Sequence, residues 1–200
     1  GLYDIREQQQ VGSYSAGNLA FRFLKVYRDN FYLFRSDGEI LAVDLNSVKR
    51  RYRLPDNFNA ENAAFSDDWL LVSAYRDGSD LRELFTFKLG TSTHVQRQAQ
   101  RREPVFMAGW QEDEFALAEA DGQGGVQISS YNPSNLTTTK VANLENESPL
   151  RVITDDQRGV YLKTDQNVYA VAGPNSVFPL KVLSFSPAKI EAARNQSLLY

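Results

Sequence analysis

The sequence predicts an all-β fold in which one four-stranded antiparallel unit is repeated along the chain, and three observations predict it. Apolar runs of strand length alternate with Asp- and Gly-containing turns through most of the 200 residues, which is the punctuation of hairpins and not of helices. Turn acids recur at one period. Asp37, Asp77, Asp121 and Asp165 follow at steps of 40, 44 and 44, and Asp29, Asp67, Asp113 and Asp156 at steps of 38, 46 and 43. The third strands keep that period too, with Asp44, Lys88, Tyr131 and Ala172 at steps of 44, 43 and 41.

A repeat of this length points to an array of supersecondary units, because a single four-stranded meander cannot bury both of its faces while stacked blades bury each other's. The expected fold is therefore a β-propeller of four-stranded antiparallel blades. About four blades are complete, with partial strands at the termini. The second unit, Ala60 to Gln98, is the template. A strand ending at Phe65 is closed by Ser66-Asp67-Asp68, the run Trp69 to Ala74 is closed by Arg76-Asp77-Gly78, the run Leu84 to Leu89 follows, and a polar fourth strand runs from His94 to Gln98. Runs such as Trp69 to Val72 and Phe31 to Phe34 are apolar at every position, as an inner strand covered on both faces requires. Lys49 to Arg53, Thr93 to Gln98 and Thr137 to Val141 are the most hydrophilic strands and are expected on the outside of their units.

Two stretches resemble known propeller repeats. Phe65-Ser66-Asp67-Asp68, then Tyr75-Arg76-Asp77-Gly78, then Glu83-Leu84-Phe85, is similar to the TolB-type repeat, although Asp67 and Trp69 stand where that repeat has Pro and Gly. Gly38-Glu39-Ile40-Leu41-Ala42-Val43-Asp44 resembles the third strand of the quinoprotein-type repeat of BamB-like propellers. Each resemblance covers about one blade. Together they imply a bacterial periplasmic or extracytoplasmic protein, or the propeller domain of a larger enzyme; a cytoplasmic location stays open.

In chain order, Gly1 to Gln10 is polar and carries no signal, and Val11 to Ala16 reads as a lone strand. One domain over residues 1–200 is expected, with blades at 19–54, 60–98, 104–144 and 149–185 and the start of a further blade at 188–200. That fifth unit lacks a recognisable third strand, which favours a fragment of a six- to eight-bladed ring over a closed five-bladed one. Lys189 to Arg194 is the one stretch where a short helix is expected.

Composition narrows the chemistry. A hydrophobic content of 42% is enough to fill a core, and no apolar run is long enough to span a bilayer as a helix. With no cysteine, disulfides, thiol catalysis and zinc-thiolate sites are excluded. The single histidine, His94, lies in a polar strand with no G-x-S-x-G motif to accompany it, so a Ser-His-Asp relay is not expected. Gly122-Gln123-Gly124-Gly125 continues into the strand Val126-Gln127-Ile128 and reads as a hairpin turn, since a phosphate loop opens a helix. No cofactor or metal site is expected. Three N-x-S/T sequons, at Asn135, Asn146 and Asn195, are about what chance supplies.

Two groups of residues are candidates for function. Asp29, Asp67, Asp113 and Asp156 form one ring of turn acids that would line a channel rim, and Asp37, Asp77, Asp121 and Asp165 form a second at the opposite end. Turn chemistry explains both, because an Asp side chain bonds the backbone two residues on; a cation-binding rim and a carboxylate pair of glycosidase type are the sharper alternatives. Lys49, Arg50, Arg51 and Arg53, with Arg97, Arg101 and Arg102, form a basic rim suited to an acidic partner, or simply keep outer strands soluble and unpaired. A net charge of -3 argues against nucleic acid. Met107 and Trp110 are expected in the core. The function expected is a non-enzymatic scaffold for protein–protein contacts, with a propeller domain of a larger enzyme, either a hydrolase accessory or a glycosidase-like ring, as the alternative.

Overall fold

The computed structural model describes residues 2–4, 9–12, 20–44, 47–91, 95–101, 104–110, 113–154, 159–173 and 176–180. Among them the fold is all-β and contains no helix. A hairpin of β1 (Leu2–Asp4) and β2 (Gln9–Gly12) precedes four antiparallel four-stranded meanders. The first blade is β3 (Phe21–Tyr27), β4 (Asn30–Arg35), β5 (Glu39–Val43) and β6 (Val48–Arg53). The second is β7 (Phe58–Ser66), β8 (Trp69–Arg76), β9 (Arg82–Lys88) and β10 (Val95–Arg101). β11 (Phe106–Trp110), β12 (Glu114–Ala120), β13 (Val126–Asn132) and β14 (Thr137–Leu144) make the third. The fourth is β15 (Pro149–Thr154), β16 (Val160–Thr164), β17 (Val168–Gly173) and β18 (Ser176–Leu180). In every sheet the strands lie side by side in chain order.

The N-terminal hairpin corrects the expectation of a lone strand at Val11 to Ala16. β2 begins at Gln9 and pairs with β1, with Tyr3 opposite Gln10 and Asp4 opposite Gln9. These strands carry Asp and Gln in place of an apolar alternation, so periodicity alone does not reveal them. Residues 13–16, the expected helix at Lys189 to Arg194 and the expected fifth unit at 188–200 lie outside the described residues.

The chain divides into two compact units, Gly1–Pro104 and Val105–Tyr200, each holding two blades. In the first, Phe34, Ile40 and Tyr52 of blade one pack with Phe58, Leu70, Val72, Phe85 and Phe87 of blade two. Aromatic rings knit the two sheets: Tyr27 stacks on Phe65 at 4.8 Å, and Tyr52 meets Phe87 edge-on at 5.7 Å. Burial pushes the Tyr32 hydroxyl in this core up to about 12. In the second unit, Trp110, Ala116, Ile128 and Val141 of blade three pack with Val160, Leu162, Tyr169 and Val171 of blade four. Met107 and Trp110 are both buried, and Trp110 belongs to this inter-blade core.

Burial follows the order of strands within a blade. Trp69 to Ala74 of β8 are buried without interruption, so both faces of that strand are covered. The fourth strands β6 and β14 are polar and largely exposed except where one residue turns inward, Tyr52 in β6 and Val141 in β14. Turns follow their residues as well. Arg28 and Asp29 take consecutive positive φ values of 44° and 57° between the paired residues Tyr27 and Asn30, a two-residue type I′ hairpin.

The β12–β13 turn is closely packed. Asp121 accepts from the backbone N–H of Gln123 and of Gly125, each at 2.8 Å, and from Asn143 Nδ2 at 3.1 Å. A Cβ on Gly125 would stand 2.6 Å from the carbonyl oxygen of Leu144 and 2.7 Å from Asp121 Oδ2. Gly125→Ala is therefore expected to destabilise the chain by about 1–3 kcal/mol, because a backbone oxygen has to move. Gly122→Ala should cost less, about 1 kcal/mol, since only its φ of 76° is strained and nothing lies within 4 Å. Urea midpoints of the two variants measure this; the reverse order would refute the turn packing.

Candidate functional site

The edge strands β3 and β7 are the first strands of neighbouring blades in the first unit, and an open cavity of about 560 Å³ lies between them. Its lining mixes apolar, charged and amide side chains: Phe23, Leu24 and Ala60 with Arg22, Lys25, Glu61, Asn62 and Tyr75. The apolar members follow from the packing, since Phe23 stacks on Phe34 at 4.3 Å at the margin of the inter-blade core. Arg22 sits where the β3–β4 register shifts between Phe21 and Phe23. Such a shift re-aims a side chain, and the guanidinium reaches across to blade two.

There Arg22 Nη1 donates to Asn59 Oδ1 at 3.1 Å and Nη2 donates to the Tyr75 hydroxyl at 2.6 Å, with the guanidinium carbon 5.3 Å from the Tyr75 ring centre. Asn59 is buried and donates onward from Nδ2 to Asp77 Oδ1 at 2.8 Å. Asp77 thus orients Asn59, and Asn59 orients Arg22. Glu61 on the same side is gripped by Arg82, from Nε at 2.8 Å and Nη2 at 3.1 Å. The site is a set of charges held in fixed positions by neighbouring side chains, with an apolar floor beside them.

Of the sequence-derived candidates, Asp77 alone among the described residues joins this network, and the others fall elsewhere. Asp29 lies in the type I′ turn and Asp113 takes a φ of 56° just before β12. Asp67 is paired with Arg28 at 3.1 Å, and Asp68 stands 3.9 Å from the same residue. Asp156 lies outside the described residues. In the second ring Asp37 accepts from the N–H of Glu39, two residues on, at 3.2 Å, as Asp121 does from Gln123. Asp165 accepts from Ser148 N–H at 2.8 Å, and Asp77 joins the Arg22 network. The two backbone N–H groups and the Asn143 amide hold the Asp121 carboxyl below its ordinary value. Among the described residues no three acidic or histidine side chains come together as a metal site would require.

In the basic group, Lys49 pairs with Asp44 at 2.9 Å and Arg51 with Glu39 at 2.9 Å, while Glu39 also accepts from Arg35. Arg53 stands 3.9 Å from Asp56, and among the described residues no carboxylate pairs with Arg50. Arg97 and Arg101 lie on β10, opposite Phe85 and Arg82. Arg102 and His94 lie outside the described residues. Much of the charge of β6 is therefore matched within its own blade. The groove was not among the sequence-derived candidates. Its only sequence signal is the Tyr75-Arg76-Asp77-Gly78 turn, two of whose members it uses.

No family model matches the sequence, and no curated protein matches it. Solved structures similar to this chain include one from a mitotic checkpoint complex, with a TM-score of 0.61 and 11% identity over 89% of this chain and 57% of that one. A prolyl endopeptidase is similar at a TM-score of 0.56 and 12% identity, over 77% of this chain and 27% of that one. Dihydro-heme d1 dehydrogenase is similar at 0.53 and 17%, over 84% of this chain and 38% of that one. The first two are propeller-type folds. This chain spans less than two thirds of each of the three. Identities at this level establish the shared fold and nothing finer, and the blades described above are β-propeller blades.

Proposed function

We propose that the chain is a non-enzymatic propeller domain over residues 1–200 that binds another protein at the groove between β3 and β7. The observation that carries this is the way the groove is built. Arg22 is held by Asn59 and Tyr75, and Glu61 by Arg82, beside the apolar Phe23, Leu24 and Ala60. Polar groups fixed in advance on a rigid sheet lose little freedom when a partner arrives, which is the property of a recognition surface. The similar chain from a checkpoint complex, itself part of an assembly, is consistent with that use at the level of fold. An envelope setting in a bacterium belongs to the same proposal and draws on the TolB-like and BamB-like repeats. The basic rim of Lys49, Arg50, Arg51, Arg53, Arg97, Arg101 and Arg102 is a subsidiary contact in it.

A second reading, the propeller domain of a larger enzyme, draws on the prolyl endopeptidase, of whose chain this one spans 27%. One experiment separates the two. A photo-crosslinking residue is placed at Leu24, in the groove, and at Leu136, an exposed leucine outside it, and both variants are exposed to extract of the native source. A discrete protein product at Leu24 and none at Leu136 is expected, and it should persist when Asp29, Asp67, Asp113 and Asp156 are changed to Asn. Equal labelling at both positions would refute the groove. A substrate-cleaving activity that the Asn changes abolish would favour the enzyme.

A further inference from the structure

Among the described residues β3 is hydrogen-bonded on one side only, to β4, and its other edge has no strand partner. Edge strands are normally short, charged or covered. β3 is seven residues long and carries Arg22 and Lys25, yet Leu24 is 46% exposed and Val26 61% exposed, and with Phe21 they make half of the exposed large hydrophobic side chains among the described residues. Half of that apolar exposure thus belongs to the one strand β3, on the faces that an added strand would extend. Arg22 stands at the start of that edge. Its acceptors, the Asn59 amide oxygen and the Tyr75 hydroxyl, are both neutral, and among the described residues no carboxylate is in ion-pair contact with it. A guanidinium carries five N–H donors, so two bonds leave further donors and the full positive charge available. The one carboxylate in the lining, Glu61, already has the two-point grip of Arg82.

We propose that the free edge of β3 takes up an extended acidic segment of a partner protein as an added strand, with a carboxylate of that segment paired to Arg22 and its apolar side chains against Leu24 and Val26. This rests on the protein-binding function proposed above and specifies the chemistry of the partner. Main-chain hydrogen bonds to β3 supply sequence-tolerant affinity, and Arg22 supplies the preference for acid. The register shift at Arg22 serves the arrangement, because it turns the guanidinium out of the regular alternation and places it beside the edge.

The test uses the full chain and fluorescent octapeptides, one alternating Glu and Val and one alternating Lys and Val, read by anisotropy. The acidic peptide should bind about tenfold tighter than the basic one, with an affinity that falls as salt rises. Arg22→Gln should weaken the acidic peptide about tenfold, and Leu24→Glu, which touches no internal hydrogen bond, should do the same without any question of folding. N-methylation of alternate backbone amides should abolish binding by one of the two N-methyl registers only, the mark of strand addition. Equal affinity for both peptides, or binding that survives both Arg22→Gln and Leu24→Glu, would overturn the proposal. If Leu24 cross-links a partner while no acidic peptide binds, protein binding stands and the acidic strand fails. If the acidic peptide binds while Leu24 captures no protein, the groove chemistry stands and the cellular role fails.

Discussion

Phe85→Ala is expected to lower the stability of the chain by about 3–5 kcal/mol, a large part of what holds a domain of ordinary stability together. Phe85 is fully buried on β9, opposite Val72 of β8, and its ring meets Phe58 edge-on at 4.8 Å. It also lies in the cluster that joins blade one to blade two. Its removal therefore opens a cavity within a blade and between two blades at once. A close-packed interior relaxes only partly around such a void, and the lost contacts add to the lost burial. Phe21→Ala is the control. Phe21 is 39% exposed at the start of β3, and its truncation should cost less than about 1 kcal/mol. Urea unfolding followed by tryptophan fluorescence measures both. A loss below about 1 kcal/mol at Phe85 would mean that the two blades do not stack as described.

How much of this was legible beforehand depends on how far apart in the chain the deciding contacts lie. Phe85 falls in the Glu83-Leu84-Phe85 stretch whose resemblance to a propeller repeat marks it as inner strand, and Leu84 and Phe85, on opposite faces, are both buried. Asp37 and Asp121 bond backbone N–H groups two residues on, which local sequence dictates. Outer strands such as β6 and β14 are polar because most of their side chains, Tyr52 and Val141 apart, face water. The groove was illegible for the converse reason. Arg22 meets Asn59 and Tyr75 across 37 and 53 residues, and only the stacking of blade on blade brings them together. Taken alone, Phe21-Arg22-Phe23-Leu24-Lys25 is an amphipathic strand whose basic residues look solvated. The basic stretch of β6 errs the other way. It reads as a free cationic surface, yet Asp44 and Glu39 on or beside the adjacent strand pair with Lys49 and Arg51.

Glu147 is the residue whose importance the sequence hides most completely, and Glu147→Gln is the second substitution expected to have a large effect. It sits in the connector between β14 and β15, where Glu145-Asn146-Glu147-Ser148 looks like an ordinary polar loop, and it is buried. The Thr164 hydroxyl, the Tyr169 hydroxyl and Asn167 Nδ2, the last at 2.9 Å, all donate to its carboxylate. Asp165 adds a second tie by accepting from Ser148 N–H, so the connector is fastened to the β16–β17 turn. Burial pushes the Glu147 carboxyl up, but the three hydrogen bonds outweigh it and hold the group below its ordinary value of 4.5. A lowered folded value means that the unfolded chain binds the proton more readily. The stabilisation is therefore complete above about 4.5 and is lost as the pH falls through the folded value. Tyr169 has the opposite sign. Burial, its bond to Glu147 and the charge of Glu147 raise it above 10.0, so its contribution is complete below 10.0 and is lost as the pH rises through the raised value. Gln accepts less strongly and brings two N–H donors into a site already filled with donors. Glu147→Gln should cost about 1–3 kcal/mol at neutral pH, flatten the acid limb of the stability profile and let Tyr169 titrate closer to its ordinary value. Urea midpoints at about pH 7 and about pH 3, with ultraviolet titration of tyrosine, read out all three effects. A variant as stable as the parent with an unchanged acid limb would mean that the connector is held by its bonds to Asp165 and Gln166, and that the carboxylate contributes nothing to the fourth blade.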